Sequence, residues 1–198
     1  MEKEFKIGLV MQSIGSGSVL GGSGIKHRPV AHSCPLCIEG RAVYGVFEVC
    51  NDSGKHIIYI TDKYDMDRIN ELNLDWQNLA GANPDDIYHF GTILLKYDDV
   101  GVDFVRLAAD LDSVDACLAI GISLYGREDA EQEALDFGKR HIQKAADNGD
   151  ACGKCWLGRY YAEGKGCKKN KRMAKKWLEE ATQECPDAEK YLDQYGLR

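Results

Sequence analysis

Two rhythms divide the chain. Up to about residue 61, apolar side chains come in short β-branched and aromatic blocks: FKIGLVMQ, RAVYGVFEV (41–49) and KHIIYIT (55–61). Cys50-NDSG separates the last two blocks. Asn, Asp and Ser bond their own backbone and Gly accepts positive φ, so this spacing predicts a hairpin within 41–61. From Asp62 onward the apolar positions recur every three or four residues, beginning with Met66, Ile69, Leu72, Trp76 and Leu79. That period predicts helices, and from Pro84 to the end almost everything follows it.

The helical part repeats itself. Ile87 to Tyr97, Asp115 to Gly126 and Lys154 to Gly166 each hold a bulky apolar residue followed by glycine: Phe90-Gly91, Ile120-Gly121 and Leu157-Gly158. A large residue follows three positions later, at Leu94, Leu124 and Tyr161. Alanines mark the second helices, at Ala108-Ala109, Ala145-Ala146 and Ala181, a spacing of 37 and then 36 residues. A period of that length means stacked helix pairs. Small residues let two helices approach, large ones fill the gaps, and one pair cannot bury its own apolar face. The expected fold class is α+β: a small β-rich N-terminal domain over 1–63, a helical linker over 64–83, and an α-solenoid of about three helix pairs over 84–198. Trp177 is expected between the third pair and a closing helix over DAEKYLDQYG.

The segment LGRYYAEGKGCKKNKRMAKKWLEEA resembles the Sel1-like repeat, a branch of the tetratricopeptide-like helical repeats. Leu157, Gly158, Tyr161, Gly164, Gly166, Ala174, Trp177 and Ala181 carry the pattern, with Cys167 in place of Val and Asn170 in place of Asp. The resemblance spans about 84–195. It implies a protein-interaction array in which the first helix of each pair lines a concave face. By the glycine register, the implied groove positions are Asp85, Tyr88, Thr92 and Lys96, then Asp115, Leu118, Ile122 and Tyr125, then Cys152, Cys155, Arg159 and Glu163. The middle set is unusually apolar. Either the N-terminal domain covers it or it is an open peptide groove.

Composition agrees with a globular chain: of 198 residues, 44% are hydrophobic and 29% charged. No apolar run approaches the length of a membrane span, and the start lacks the basic flank of a secretion signal. A cytoplasmic location follows as the expectation. The net charge of −7 is uneven: 84–147 stands at −8 and 148–198 at +3. An acidic chain disfavours nucleic acid, whose phosphates need clustered cations. One basic cluster does stand out. Lys165, Lys168, Lys169, Lys171, Arg172, Lys175 and Lys176 are seven cations in twelve residues without an acid. They form either a solvated face or a docking patch for an acidic partner.

The remaining candidate chemistry lies in glycine, cysteine and histidine. The stretch 13–24 is rich in Gly and Ser, but it fails as a phosphate cradle: Ile25 follows Gly24 where a Walker loop needs Lys, and Leu20 stands where a dinucleotide loop needs its third Gly. A loop is the expectation. Cys34-x-x-Cys37 resembles one knuckle of a zinc ribbon. Cys50 and His56 would complete four ligands, with His27 and His32 as alternatives, so the cofactor is either none or a structural zinc. Some related secreted arrays tie helix pairs with disulfides between a first-helix cysteine and one ending the second helix. Cys117 fits the first position, but the alanines at 145 and 146 offer it no partner, and apolar packing is expected for the repeat cysteines. No catalytic set stands out. The function expected is a non-catalytic interaction module, an adaptor or a bacterial immunity or regulatory protein, with another protein as partner. The alternative is a thiol- or metal-dependent enzyme or zinc-stabilised regulator centred on Cys34 and Cys37.

Overall fold

The structure, a computed structural model, describes residues 6–8, 37–38, 41–51, 54–74 and 79–198. The Gly/Ser-rich stretch, Cys34 and Trp76 lie outside these residues, as do the side chains of Cys37 and Cys50. Two compact units divide the chain: Met1–Ala82 with His89–Val102, and Asn83–Tyr88 with Asp103–Arg198.

In the first unit, the strands β1 (Lys6–Gly8), β4 (Gly45–Asn51) and β5 (Gly54–Ile60) form an antiparallel sheet in the order β1-β4-β5. The short strands β2 (Cys37–Ile38) and β3 (Arg41–Ala42) pair with each other. β4 and β5 are the hairpin that the turn chemistry of 50–54 predicts. Their register sets Phe47 opposite Ile58 and Gly45 opposite Ile60. Because strand side chains alternate, Phe47, Val49, Ile58 and Ile60 are buried on one face while Ile57 and Tyr59 on the other stay exposed. The Phe47 ring meets Phe90 edge-on, with centroids 5.3 Å apart.

Helix α1 (Lys63–Glu71) starts on Asp62, whose carboxylate accepts the backbone N–H groups of Tyr64 and Asp65. The helical period in the sequence runs on to Leu79, but the helix ends at Glu71. Leu72 is already extended (φ −72°, ψ 135°), and a single 3-10 turn forms over Leu79–Gly81. Asn70 and Asn73, poor helix formers, flank that stop.

Three helix pairs and a closing helix follow: α2 (Pro84–Leu94) and α3 (Gly101–Asp110), α4 (Val114–Tyr125) and α5 (Gln132–Asp147), α6 (Ala151–Glu163) and α7 (Lys171–Ala181), then α8 (Asp187–Gln194). The alanines of the repeat are all buried: Ala108 and Ala109 on α3, Ala145 and Ala146 on α5, Ala181 on α7. The glycines mark where helices cross closely. A Cβ on Gly121 would stand 2.2 Å from Ile142 Cγ1, and one on Gly158 would stand 2.6 Å from Leu178 Cγ. Tyr160, fully buried, joins α6 to α4 by donating from its hydroxyl to the Gly121 carbonyl at 2.7 Å. Trp177 differs from expectation. It is half-buried and packs against the cluster of Tyr125, Ile142, Ala146, Leu157 and Tyr160, toward the second pair. The apolar cluster of α6, α7 and α8 is built instead from Cys155, Ala174, Leu178, Cys185, Ala188 and Leu192. Among the described residues, no helix is long and apolar enough to cross a membrane.

Candidate partner-binding face

The first-helix face of the second unit is assembled from α4, α6 and α8. Ser113 caps α4 by accepting the Ala116 N–H, and Asp150 caps α6 by accepting the Gly153 N–H at 2.6 Å. These caps fix the helical phase that follows. On α4, Leu118 and Ile122 are half-buried and lean on the cluster that contains Tyr125. On α6 the outward stripe runs through Cys152, Trp156, Arg159 and Glu163.

These side chains meet in an aromatic and charged cluster. The Arg159 guanidinium lies 4.0 Å from the Trp156 ring centroid, 4.4 Å from that of Tyr191 and 4.7 Å from that of Tyr125. Tyr125 in turn meets Trp156 and Tyr160 edge-on, at 5.2 and 4.9 Å. A second cation, Lys165, stands 4.0 Å from the Tyr125 centroid and donates to the Tyr125 carbonyl at 2.7 Å. Tyr195, stacked on Tyr191, donates to Glu163 at 2.5 Å. A cation held over ring faces in this way gains about 0.5–2 kcal/mol.

The electrostatics follow from burial. Desolvation first, and then the Glu163 carboxylate beside it, push the Tyr125 phenol far above its ordinary range. Desolvation, followed by Glu163, raises Tyr195 as well. For Glu163 burial acts upward, but the Tyr125 and Tyr195 hydroxyls and the cations Lys165 and Arg159 outweigh it and hold the carboxyl below its usual value. Two buried polar atoms here have no hydrogen-bond partner, the Tyr125 hydroxyl and the Arg159 Nε. Leaving such a group unmade costs about 1–3 kcal/mol.

The structure distributes the other sequence candidates differently. Asp85, Tyr88 and Asp115 lie in the second unit with the face just described. Asp85 accepts the Ser113 hydroxyl at 2.8 Å, and burial, with Asp115 nearby, raises the Tyr88 phenol. Thr92 and Lys96 belong to the first unit. There the Thr92 hydroxyl donates to the His89 carbonyl, and Lys96 Nζ sits 2.6 Å from the buried Asp65 carboxylate, which also accepts the Tyr97 hydroxyl at 2.8 Å. Cys155 turns inward among Cys185 and Ala188, and burial pushes its thiol well up. Trp156 takes the outward place that the glycine register assigns to Cys155. Trp156, Tyr191 and Tyr195 carry much of the face, and the sequence reading missed them. Trp156 lies four residues after Cys152 and three before Arg159, and the two tyrosines lie four apart, on the closing helix and at its C-cap, so the helical period contained their signal.

The basic cluster also divides. Lys165 turns into the aromatic face. Lys175 and Lys176 pair with Glu179 and Glu180 one turn on, at 3.6 and 3.8 Å. Lys168, Lys169, Lys171 and Arg172 stay exposed. Arg172, Lys175 and Lys176 share with Glu179, Glu180 and Gln183 the lining of a shallow cavity of about 570 Å³, so its rim carries both signs.

Of the zinc candidates, Cys34 lies outside the described residues. The strand register sets Cys50 opposite Lys6 and Lys55, and sets His56 opposite Val49. His56 Nδ1 lies 3.0 Å from Asp98 Oδ1. Among the described residues no group of three or more His, Cys, Asp or Glu side chains is placed to hold a metal ion. One Cys–His contact does occur: Cys117 Sγ is 3.7 Å from His141 Nδ1. Cys117 is 1% exposed, and burial pushes its thiol up and the imidazole down. Both partners therefore favour their neutral forms, the reverse of an activated thiolate–imidazolium pair.

This arrangement of helix pairs has a solved counterpart. The crystal structure of a Sel1 repeat protein from Oxalobacter formigenes is similar to this chain with a TM-score of 0.53 and 23% identity, covering 66% of this chain and 98% of the other. The chain has a Sel1-like repeat fold. No protein-family model matches the sequence, and no curated protein matches it. The Sel1-like architecture accounts for why the outward stripes of α4 and α6 are neighbours: each pair stacks on the next, so equivalent positions recur on one side.

Proposed function

We propose that this protein is a non-catalytic interaction module that binds another protein through the first-helix face of its Sel1-like array. The observation that carries the reading is the side-by-side placement of half-buried Leu118, Ile122 and Trp156 with an arginine held on three aromatic rings. Aromatic and arginine side chains over apolar ground are what protein interfaces concentrate at their energetic centres. The fold supports the same reading, because helical-repeat arrays present extended surfaces for partners. A narrower form, an adaptor or a bacterial immunity or regulatory protein that masks its partner, draws on the acidic balance of the chain.

The test compares two faces. The full chain, an Ile122→Glu variant and a variant with Lys168, Lys169, Arg172 and Lys176 all changed to Glu are used to capture partners from native lysate, at low and high salt. Ile122→Glu is expected to abolish capture that high salt leaves intact, because apolar burial is not screened. If the fourfold charge reversal abolishes capture and Ile122→Glu leaves it untouched, the basic segment is the binding surface and the reading is wrong.

A further inference from the structure

Most cations of this molecule for which a neighbour can be named have a carboxylate. Lys96 has Asp65 and Lys144 has Asp112, both at 2.6 Å; Lys175 and Lys176 have glutamates one turn along their own helix. Arg159 differs. Among the described residues no carboxylate lies within 4.0 Å of it; its guanidinium is held by the faces of Trp156, Tyr191 and Tyr125. Ring faces attract the charge through their quadrupoles but offer no lone pair to the N–H edge of the guanidinium; its hydrogen-bonding neighbour is the neutral Tyr195 hydroxyl, which itself donates to Glu163. Lys165 adds a second positive charge over the Tyr125 ring. The one acid of the cluster, Glu163, is engaged by the Tyr195 hydroxyl, and its distance to Lys165 is 3.9 Å. Two cations therefore face one carboxylate. Tyr125, 5% exposed, keeps its hydroxyl in the same cluster beside Glu163. Beside these charges lie Leu118 and Ile122, which the same apolar cluster supports from below.

Resting on the reading that this face binds a protein, we infer that its occupant is an internal segment of the partner presenting an Asp or Glu carboxylate to Arg159 and Lys165, next to a bulky apolar side chain on Leu118 and Ile122. A planar guanidinium already fixed by stacking loses little freedom when it meets a carboxylate, and the paired bonds it makes are directional. The net positive cluster inside an acidic chain gives the complementarity, and the apolar neighbours exclude water from it.

The probe is a pool of N-acetylated, C-amidated peptides of about a dozen residues, mixing Asp and Glu with bulky apolar residues, Gly and Ser. A second pool carries Asn and Gln in place of the acids, and a third is neutral with a free C-terminus. Retention on the full-length protein is read by mass spectrometry for the wild type, Arg159→Gln, Arg159→Lys and Ile122→Glu, each checked by circular dichroism. The wild type is expected to retain acidic peptides roughly tenfold over their amide counterparts, Arg159→Gln to lose that preference and Arg159→Lys to keep part of it. Should Arg159→Gln not fold, the wild type decides: its acid preference must shrink as salt rises, and a preference that persists overturns the inference. Equal retention of acidic and amide pools, abolished together by Ile122→Glu, overturns the inference while leaving the binding face standing. Retention that needs a free C-terminus overturns the internal-segment assignment. Retention of no pool, or retention indifferent to Ile122→Glu, overturns both readings.

Discussion

On α2 and the turn after it, the first-helix positions close on the protein itself. Asp85 accepts the Ser113 hydroxyl, Thr92 bonds back to His89, and Lys96 neutralises Asp65. On α6 the corresponding stripe stays outward, with Arg159 on aromatic rings and Glu163 under a tyrosine hydroxyl. The same repeat register therefore gives two outcomes. A register position says which way a side chain leaves its helix; what meets it there depends on residues far along the chain, Asp65 for Lys96 and Tyr191 and Tyr195 for the α6 stripe.

Beneath that outward difference the two helices are built alike, and this gives the largest expected effect. Phe90 and Leu157 precede the repeat glycines and are both fully buried. Phe90→Ala is expected to cost about 3–5 kcal/mol and Leu157→Ala about 2–5 kcal/mol in urea unfolding. Ile120, the half-buried equivalent on α4, should cost less. A loss under about 1 kcal/mol at Phe90 would mean that α2 is not packed as a repeat helix, and the comparison with α6 would fall.

The next effect separates the outward positions. Asp65 is 3% exposed, and although burial alone would raise its carboxyl, Lys96 and Tyr97 together hold it below its ordinary value. A depressed acid stabilises the fold above its unfolded value and loses that contribution as pH falls through the folded one. Lys96→Met leaves the carboxylate buried with Tyr97 and only the smaller pull of the Arg68 charge. Because Lys96 is itself more than half exposed and partly screened, about 1 kcal/mol is the expected loss at neutral pH. The deficit should shrink below the ordinary aspartate value of 3.8, where the acid is protonated in the unfolded chain and then in the folded one. Urea titrations at neutral and acid pH read it directly, and a deficit that does not change with pH would remove the counter-ion role of Lys96.

The contrast also explains what could be read in advance. The repeat was legible because its signals are local and doubled: a bulky residue before a glycine on the first helix, and alanines on the second, each required by close helix crossing. The hairpin was legible because its turn residues bracket two β-rich blocks. The proposed binding face was only in part a matter of register. Leu118, Ile122, Tyr125, Arg159 and Glu163 follow from the register, but choosing Cys155 instead of Trp156 rotated one position of the stripe inward, since a period of 3.6 does not settle between spacings of three and four. Lys96 was misread for another reason: its partner Asp65 stands thirty-one residues earlier on α1, and helical spacing contains nothing about that contact. Trp177 shows the same limit, because the period marks it as apolar without saying which neighbouring pair it leans on.

Arg159 carries the smallest expected effect. If the Arg159 cation serves a partner and not the fold, its removal should change stability little. Arg159→Met keeps the stem over Trp156 and Tyr191, loses the cation–π attraction of about 0.5–2 kcal/mol, and recovers the cost of an unpartnered buried Nε, about 1–3 kcal/mol. The two contributions oppose each other, so the net change in urea unfolding at neutral pH should stay within about 1 kcal/mol. Removing the methionine stem as well, in Arg159→Ala, should cost more, since the aliphatic part covers apolar surface whatever the charge does. A loss of about 3 kcal/mol or more in Arg159→Met would make Arg159 a structural pin like Lys96, and α2 and α6 would then differ in their partners and not in their purpose.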